Sequence, residues 1–221
     1  MCGRFTLTCD AVRITVFFQL ATVPKLRPRY NIAPSQLIAT IVQQEQEAKQ
    51  LRLMKWGLIP GWAKDPKIGH RLINARAETL SEKPSFRSAF KRRRCLIVAD
   101  GFYEWQQTKT GKQPYYIQFK NQQLFAFAGL WEIWHSEKNE EIESCSIITT
   151  KANELIKPIH HRMPVILSPN TYSQWLDPTV TSIDKVQSFL APYDSADMEV
   201  YQVSEKVNRS TYDQPDCFQS I

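Results

Sequence analysis

No apolar run approaches the roughly 18 residues that a membrane-spanning helix needs, although 43% of the 221 residues are hydrophobic. The start, Met1-Cys2-Gly3-Arg4-Phe5, lacks the basic-then-apolar layout of a secretory signal. A cytoplasmic protein with no membrane partner is expected. The chain has no Cys-x-x-Cys and no Cys/His group at zinc spacing. Its five cysteines (Cys2, Cys9, Cys95, Cys145 and Cys217) are odd in number and scattered. Disulfides and a structural metal are therefore not expected, and no cofactor is implied. Gly-x-Gly-x-x-Gly, the Walker loop, His-Glu-x-x-His and Gly-x-Ser-x-Gly are all missing. That removes the usual nucleotide, zinc-protease and esterase signatures. Neither an internal repeat nor a low-complexity segment occurs. Apolar residues are evenly spread, which suits one compact domain over 1–221. The polar stretch 205–221 reads as a loose tail.

What is present in excess is positive charge. The formal net charge is +6 and the isoelectric point is about 9.1. Lys83, Arg87, Lys91, Arg92, Arg93 and Arg94 fall in one window without an acid, and equal the net charge of the whole chain. Phe86 and Phe90 interleave with them. The window reads either as a solvated helix face or as a nucleic-acid surface.

Cys2 is the residue with the most distinctive chemistry. A small second residue permits removal of Met1, so a mature chain beginning at Cys2 is expected. Its α-amine, with a reference pKa of roughly 7.7–8.0, leaves about a tenth neutral at pH 7. An aldehyde can form an imine with that nitrogen and then a five-membered thiazolidine with the thiol. An internal cysteine cannot, because its nitrogen is locked in an amide. The other reading of position 2 is a frayed terminus with an incidental cysteine.

The pattern predicts a helix over Asp10–Leu20 with Asp10 as N-cap. Strands are predicted over Leu37–Gln43, Leu51–Trp56, Cys95–Ala99, Phe102–Gln107, Tyr115–Lys120, Leu124–Trp134, Ser144–Thr149, Met163–Leu167 and Met198–Val203. Arg71–Arg76 reads as a short extended segment. Short helices are predicted at Pro84–Lys91, Ala152–Ile156, Ser168–Leu176 and Ser182–Leu190. The expected fold is α+β: a single mixed domain with a mostly antiparallel, barrel-like sheet and peripheral helices.

Several polar residues stand at strand ends. Asn74 and Arg76 alternate, so in a strand they share a face. The amide suits donor and acceptor work, and the guanidinium suits phosphate. Glu104 lies between aromatic neighbours in Phe102-Tyr103-Glu104-Trp105, where burial would suit it to proton transfer. His160 and His161 precede Arg162, and histidine exchanges a proton near neutrality. Alone, each also reads as a turn Asn, an outward Glu or a structural His. Trp62, in a Pro-Gly loop, is the tryptophan expected on the surface. Trp56, Trp105, Trp131 and Trp134 suit a core, as do Cys95 and Cys145.

Taken in order, Cys2–Phe5, Arg29–Pro34, Trp56–Trp62, Asn74–Thr79, Ala99–Trp105, Gln113–Tyr116, Phe127–Glu132 and Ile159–Pro164 resemble the SOS-response-associated peptidase (SRAP) family. The resemblance runs from Cys2 to about Val203. It implies an abasic-site processing protein that binds single-stranded DNA. Such a protein traps the ring-opened abasic aldehyde on the N-terminal cysteine as a thiazolidine crosslink. Lyase chemistry and peptidase-type self-processing are further implied, acting at the nucleoid. By matching positions, Cys2 is the nucleophile, with Asn74, Glu104 and His160 as its polar partners. Arg4, Arg76 and Arg162 are implied phosphate contacts, with Trp62 and Thr149 counted as DNA contacts. Phe86 falls where an apolar wedge is placed. A monomer is expected. This chain departs from the family at His161, where Asp is usual, and at Val98, where Pro is frequent. An N-terminal-nucleophile amidohydrolase, with the Cys2 amine as its own base, is the alternative. Arg4 and the basic window have no obvious use there. A non-catalytic single-strand-binding module is a third reading.

Overall fold

A computed structural model describes residues 2–44 and 47–221. In chain order the strands are β1 (Arg4–Leu7), β2 (Arg29–Ile32), β3 (Leu37–Val42), β4 (Gln50–Trp56), β5 (Asn74–Arg76), β6 (Arg94–Ala99), β7 (Gly101–Gln107), β8 (Lys112–Phe119), β9 (Phe125–His135), β10 (Glu141–Lys151), β11 (Arg162–Pro164), β12 (Ile166–Leu167) and β13 (Met198–Gln202). The helices are short: α1 (Ala11–Phe18), α2 (Arg87–Arg92), α3 (Tyr172–Leu176) and α4 (Ile183–Gln187). None is long and apolar enough to cross a membrane.

Strand pairing closes a ring. β3 pairs antiparallel with β4 and β6, β6 with β9, and β9 with β10. β10 then pairs with β4 in parallel, which completes a five-stranded barrel. A second sheet, in the order β13-β8-β7-β1-β2, packs beside it. The expected α+β, barrel-like, mostly antiparallel architecture is the one found. β6 shows why: all of Arg94–Ala99 is buried, so this run is apolar on both faces instead of alternating. Phe5 and Phe102 of the second sheet reach Phe127 of the barrel edge-to-face, at 5.8 Å in both cases, joining the two layers. Gly101 lets β7 begin against β8: a Cβ there would lie 1.9 Å from the Tyr116 hydroxyl. That hydroxyl instead bonds Thr6 of β1 at 2.8 Å.

Local chemistry explains where the elements depart from expectation. Asp10 does cap α1, accepting from the Arg13 N–H. Ala152–Ile156 is a turn and not a helix. The Asn153 side chain accepts the Ile156 N–H at 3.1 Å and donates to the Tyr193 carbonyl at 2.9 Å, competing with helical bonding. Met163–Leu167 is broken at Val165, where the chain leaves β10 for β9. Val165 bridges the two strands: its N–H donates to the Ile148 carbonyl at 2.8 Å and its carbonyl accepts from Ala128 at 2.9 Å.

The loose tail expected over 205–221 is corrected. Asp213 accepts from the N–H groups of Tyr30 and Asn31 and from Arg29. It thereby covers the free edge of β2. Asn31 donates to the carbonyls of Val207, Arg209 and Tyr212, and Cys217 is fully buried. Polar composition suggested disorder, but Asp213 and the carbonyls of Val207, Arg209 and Tyr212 find partners far away in sequence.

Candidate active site at the start of the chain

β1 carries the first residues into the second sheet. Arg4 faces Tyr103 and Phe5 faces Phe102 across β7. Continuing that register sets Gly3 opposite Glu104. Cys2 is completely buried, and its carbonyl accepts the Asn74 amide at 2.9 Å. Asn74 opens β5, which lies parallel to β10 with Asn74 level with Ile147. The barrel and the second sheet thus meet at Cys2. Asn74 Oδ1 is buried with no hydrogen-bond partner among the described residues.

A pocket of about 810 Å³ opens beside this junction. Gly3, Arg4, Glu104, Trp105, His160 and His161 line it, together with Lys112, Lys157 and Asn208. Glu104 is only 3% exposed, and its Oε1 accepts the Trp105 N–H. His160 comes from the turn that precedes β11. Its Nδ1 lies 3.0 Å from the Arg162 N–H, which donates to it, and 3.2 Å from the Arg162 carbonyl. The Arg162 backbone therefore has a partner for Nδ1 whether the ring is neutral or charged. The His161 ring stacks on His160 at 4.4 Å.

Electrostatics follow from this burial. Burial pushes the Cys2 thiol well above its ordinary range, with the Glu104 charge adding to the effect. The thiol is thus held protonated at neutral pH. Burial lowers the His160 pKa, while Glu104 pulls it the other way.

The structure brings Cys2, Asn74, Glu104 and His160 together. Arg4 is beside them, but its guanidinium donates to Asn31, to the carbonyls of Val207 and Asn208, and lies over the Trp105 ring. Arg162 is only 9% exposed; it forks onto Glu78 and reaches the buried Thr149. These two form an internal brace. Arg76 is exposed on the far side of Ala75, and Trp62 is exposed as expected. Trp56, Trp131 and Trp134 are buried, whereas Trp105 is half-buried on the pocket wall. The expectation for Phe86 is corrected: it packs in the core at 7% exposure, so it presents no wedge at the surface. The basic window is split. Arg94 is buried and donates to the carbonyls of Phe90, Lys91, Trp175, Asp177 and Val180, and Arg93 pairs with Glu132. Lys83, Arg87, Lys91 and Arg92 stay exposed.

Sequence reasoning did not single out Glu78, Lys112, Lys157 or Asn208. Glu78 lies inside the Asn74–Thr79 block, so that block held its signal. The others are common surface residues whose convergence depends on the fold.

Known proteins share this arrangement of chain and fold. The chain is 49% identical over 225 residues to the abasic site processing protein YoqW of Bacillus subtilis (strain 168), with both chains wholly covered. It is 31% identical to the abasic site processing protein HMCES of Xenopus tropicalis, over 89% of this chain and 67% of that one. A crystal structure of a protein from Bacteroides thetaiotaomicron superposes with a TM-score of 0.88 at 28% identity, covering all of both chains. The family model described as SOS response associated peptidase (SRAP) matches residues 1–210. On that match, and with the chain start, β7 and the β10–β11 turn meeting at one pocket, the chain belongs to the SOS response associated peptidase family.

Proposed function

We propose that this chain processes abasic sites in single-stranded DNA by capturing the sugar aldehyde on Cys2. One observation carries the reading: the Asn74 amide holds the Cys2 carbonyl at 2.9 Å, at the edge of the pocket lined by Glu104 and His160. The relatives named as abasic site processing proteins support it. Removal of Met1, by self-processing or by another peptidase, frees the Cys2 amine. The buried Asn74 Oδ1 is the acceptor available to that amine.

The chemistry follows from the order of reactivity. His160 transfers the protons that open the sugar ring to its aldehyde. The amine adds to C1′, and water leaves to give an imine. The thiol is held protonated by burial, so it does not compete for the first step. Glu104 then takes the thiol proton as sulfur adds to the imine carbon, and the nitrogen gains a proton as the thiazolidine closes. Amine and thiol sit on one carbon skeleton, so the second bond forms intramolecularly at high effective concentration. If closure lags, the same imine promotes β-elimination, which is lyase action. Arg76, Lys112 and Lys157 are the exposed cations available to the flanking phosphates. The protein acts as a monomer.

The test is adduct formation with an abasic oligonucleotide on a denaturing gel. The wild type should give a heat-stable adduct and Cys2→Ala none, with the intact-protein mass showing a chain that starts at Cys2. A normal adduct yield from Cys2→Ala would remove the central claim.

A further inference from the structure

Glu78 and Arg162 make a clamp that the reaction above leaves without a role. Arg162 Nη1 lies 2.6 Å from Glu78 Oε1, and Nη2 lies 3.0 Å from Oε2. Nη2 also donates to the Thr149 carbonyl and hydroxyl. A two-pronged fork of this kind fixes the guanidinium in both plane and direction. The backbone of the same arginine holds His160, its N–H donating to Nδ1 at 3.0 Å. The carbonyl of the same residue lies 3.2 Å from Nδ1, so the Arg162 backbone engages this nitrogen in either tautomer. The position of Arg162 therefore sets the direction of the His160 ring. Glu78 lies in the single turn Ala77–Thr79 that follows β5. The run from Asn74 to Glu78 thus holds the Cys2 carbonyl at one end and, through Arg162, His160 at the other.

We propose that Glu78, acting through Arg162, is a positioning residue that holds the His160 ring in its direction for proton transfer. The inference rests on reading the pocket as the abasic-capture site. Glu78 does not line the pocket, so its effect is indirect. Among the described residues, Glu104, the stacked His161 and the Arg162 backbone face His160, with Lys112 and Lys157 on the same walls. Its hydrogen bond to Arg162 holds the Glu78 carboxyl below its ordinary range. The clamp is thus intact through the range in which His160 titrates and fails only as pH falls through the lowered Glu78 value.

The experiment uses the full chain with Glu78→Gln and Glu78→Asp. The His160 ring is followed by nitrogen-15 NMR without DNA, and adduct formation is timed at saturating abasic single-stranded DNA. In the wild type the ring nitrogens should give one sharp pair of signals set by the backbone contact. In Glu78→Gln those signals should move toward the values of a solvent-exposed histidine. The His160 midpoint should rise toward the ordinary histidine range, because the released ring regains water. Adduct formation should slow about tenfold, a fraction of what a positioned acid–base group contributes. Glu78→Asp, which keeps the charge, should recover part of each change, and it decides the matter if the Gln variant does not fold. Unchanged ring nitrogen signals and midpoint in the folded variants, even with a lowered melting temperature, would make the clamp a fold brace and overturn the proposal. If the wild type itself forms no adduct, the abasic reading falls, while the ring measurements still judge the clamp.

Discussion

At the scale of the residue, the site separates chemistry from binding. Glu104 is buried on β7 and His160 is held by backbone on its Nδ1 side. Neither is free to follow a DNA strand. Glu104→Gln and His160→Ala should each slow adduct formation on the order of 10²-fold, with affinity for the same DNA changed far less. A quenched time course beside an anisotropy titration separates the two effects. A loss confined to affinity would recast both residues as contacts. The buried thiol makes a second prediction. Burial raises Cys2 strongly and takes Cys9 to about 12, and the nucleophile in alkylation is the thiolate. Iodoacetamide at pH 8 should therefore leave Cys2 unmodified in the native chain, while the unfolded chain reacts at once. Rapid native labelling of Cys2, read by peptide mass spectrometry, would contradict the amine-first order. Much of this was legible from the sequence: aromatic neighbours implied the burial of Glu104, and position alone singled out Cys2. Arg162 was not, since nothing local tells a phosphate-binding guanidinium from one that a distant Glu78 holds. Phe86 failed likewise, because a basic window does not reveal which of its faces is inward.

At the scale of the element, the C-terminal segment is the piece whose role composition concealed. Local signals were enough for α1, where Asp10 caps an apolar spacing, and for β6, an unbroken apolar run. They could not be enough for 205–221, whose order depends on β2 and on Arg4. Asp213 accepts three donors there, two from β2 backbone and one from Arg29. Bonds to a charged acceptor are the stronger kind, so Asp213→Ala should cost about 2–3 kcal/mol in a urea unfolding titration. The effect should also reach the pocket. The same segment supplies the carbonyls that hold Arg4 and the Asn208 oxygen that accepts the Trp105 indole N–H at 2.7 Å. Asp213→Ala should accordingly reduce adduct yield under conditions where the protein is still fully folded by circular dichroism. Full activity with lowered stability would restrict the segment to a structural role.

At the scale of the whole molecule, the count of 28 lysines and arginines overstates what DNA can meet. Several guanidinium groups are spent internally: Arg94 on five carbonyls, Arg93 on Glu132, Arg52 on Glu143, Arg29 on Asp213 and Arg162 on Glu78. The pocket wall carries exposed Lys112 and Lys157, and exposed Arg76 stands two residues beyond Asn74; the Lys157 pair with Glu154 at 3.6 Å is exposed on both sides and weakly held. Each phosphate neutralised on a single strand contributes a slope of roughly −0.7 to log K against log salt. Three such contacts give roughly −2 for initial binding, measured by anisotropy across a salt series with Cys2→Ala to prevent capture. Replacing Lys112 and Lys157 with Gln should leave roughly −0.7, the share of Arg76. The completed thiazolidine is covalent, so the wild-type adduct, once formed, should survive salt that abolishes binding by the variant. A flat salt response of the variant would mean that the strand is held by stacking and shape, and that the charge of this chain has another use.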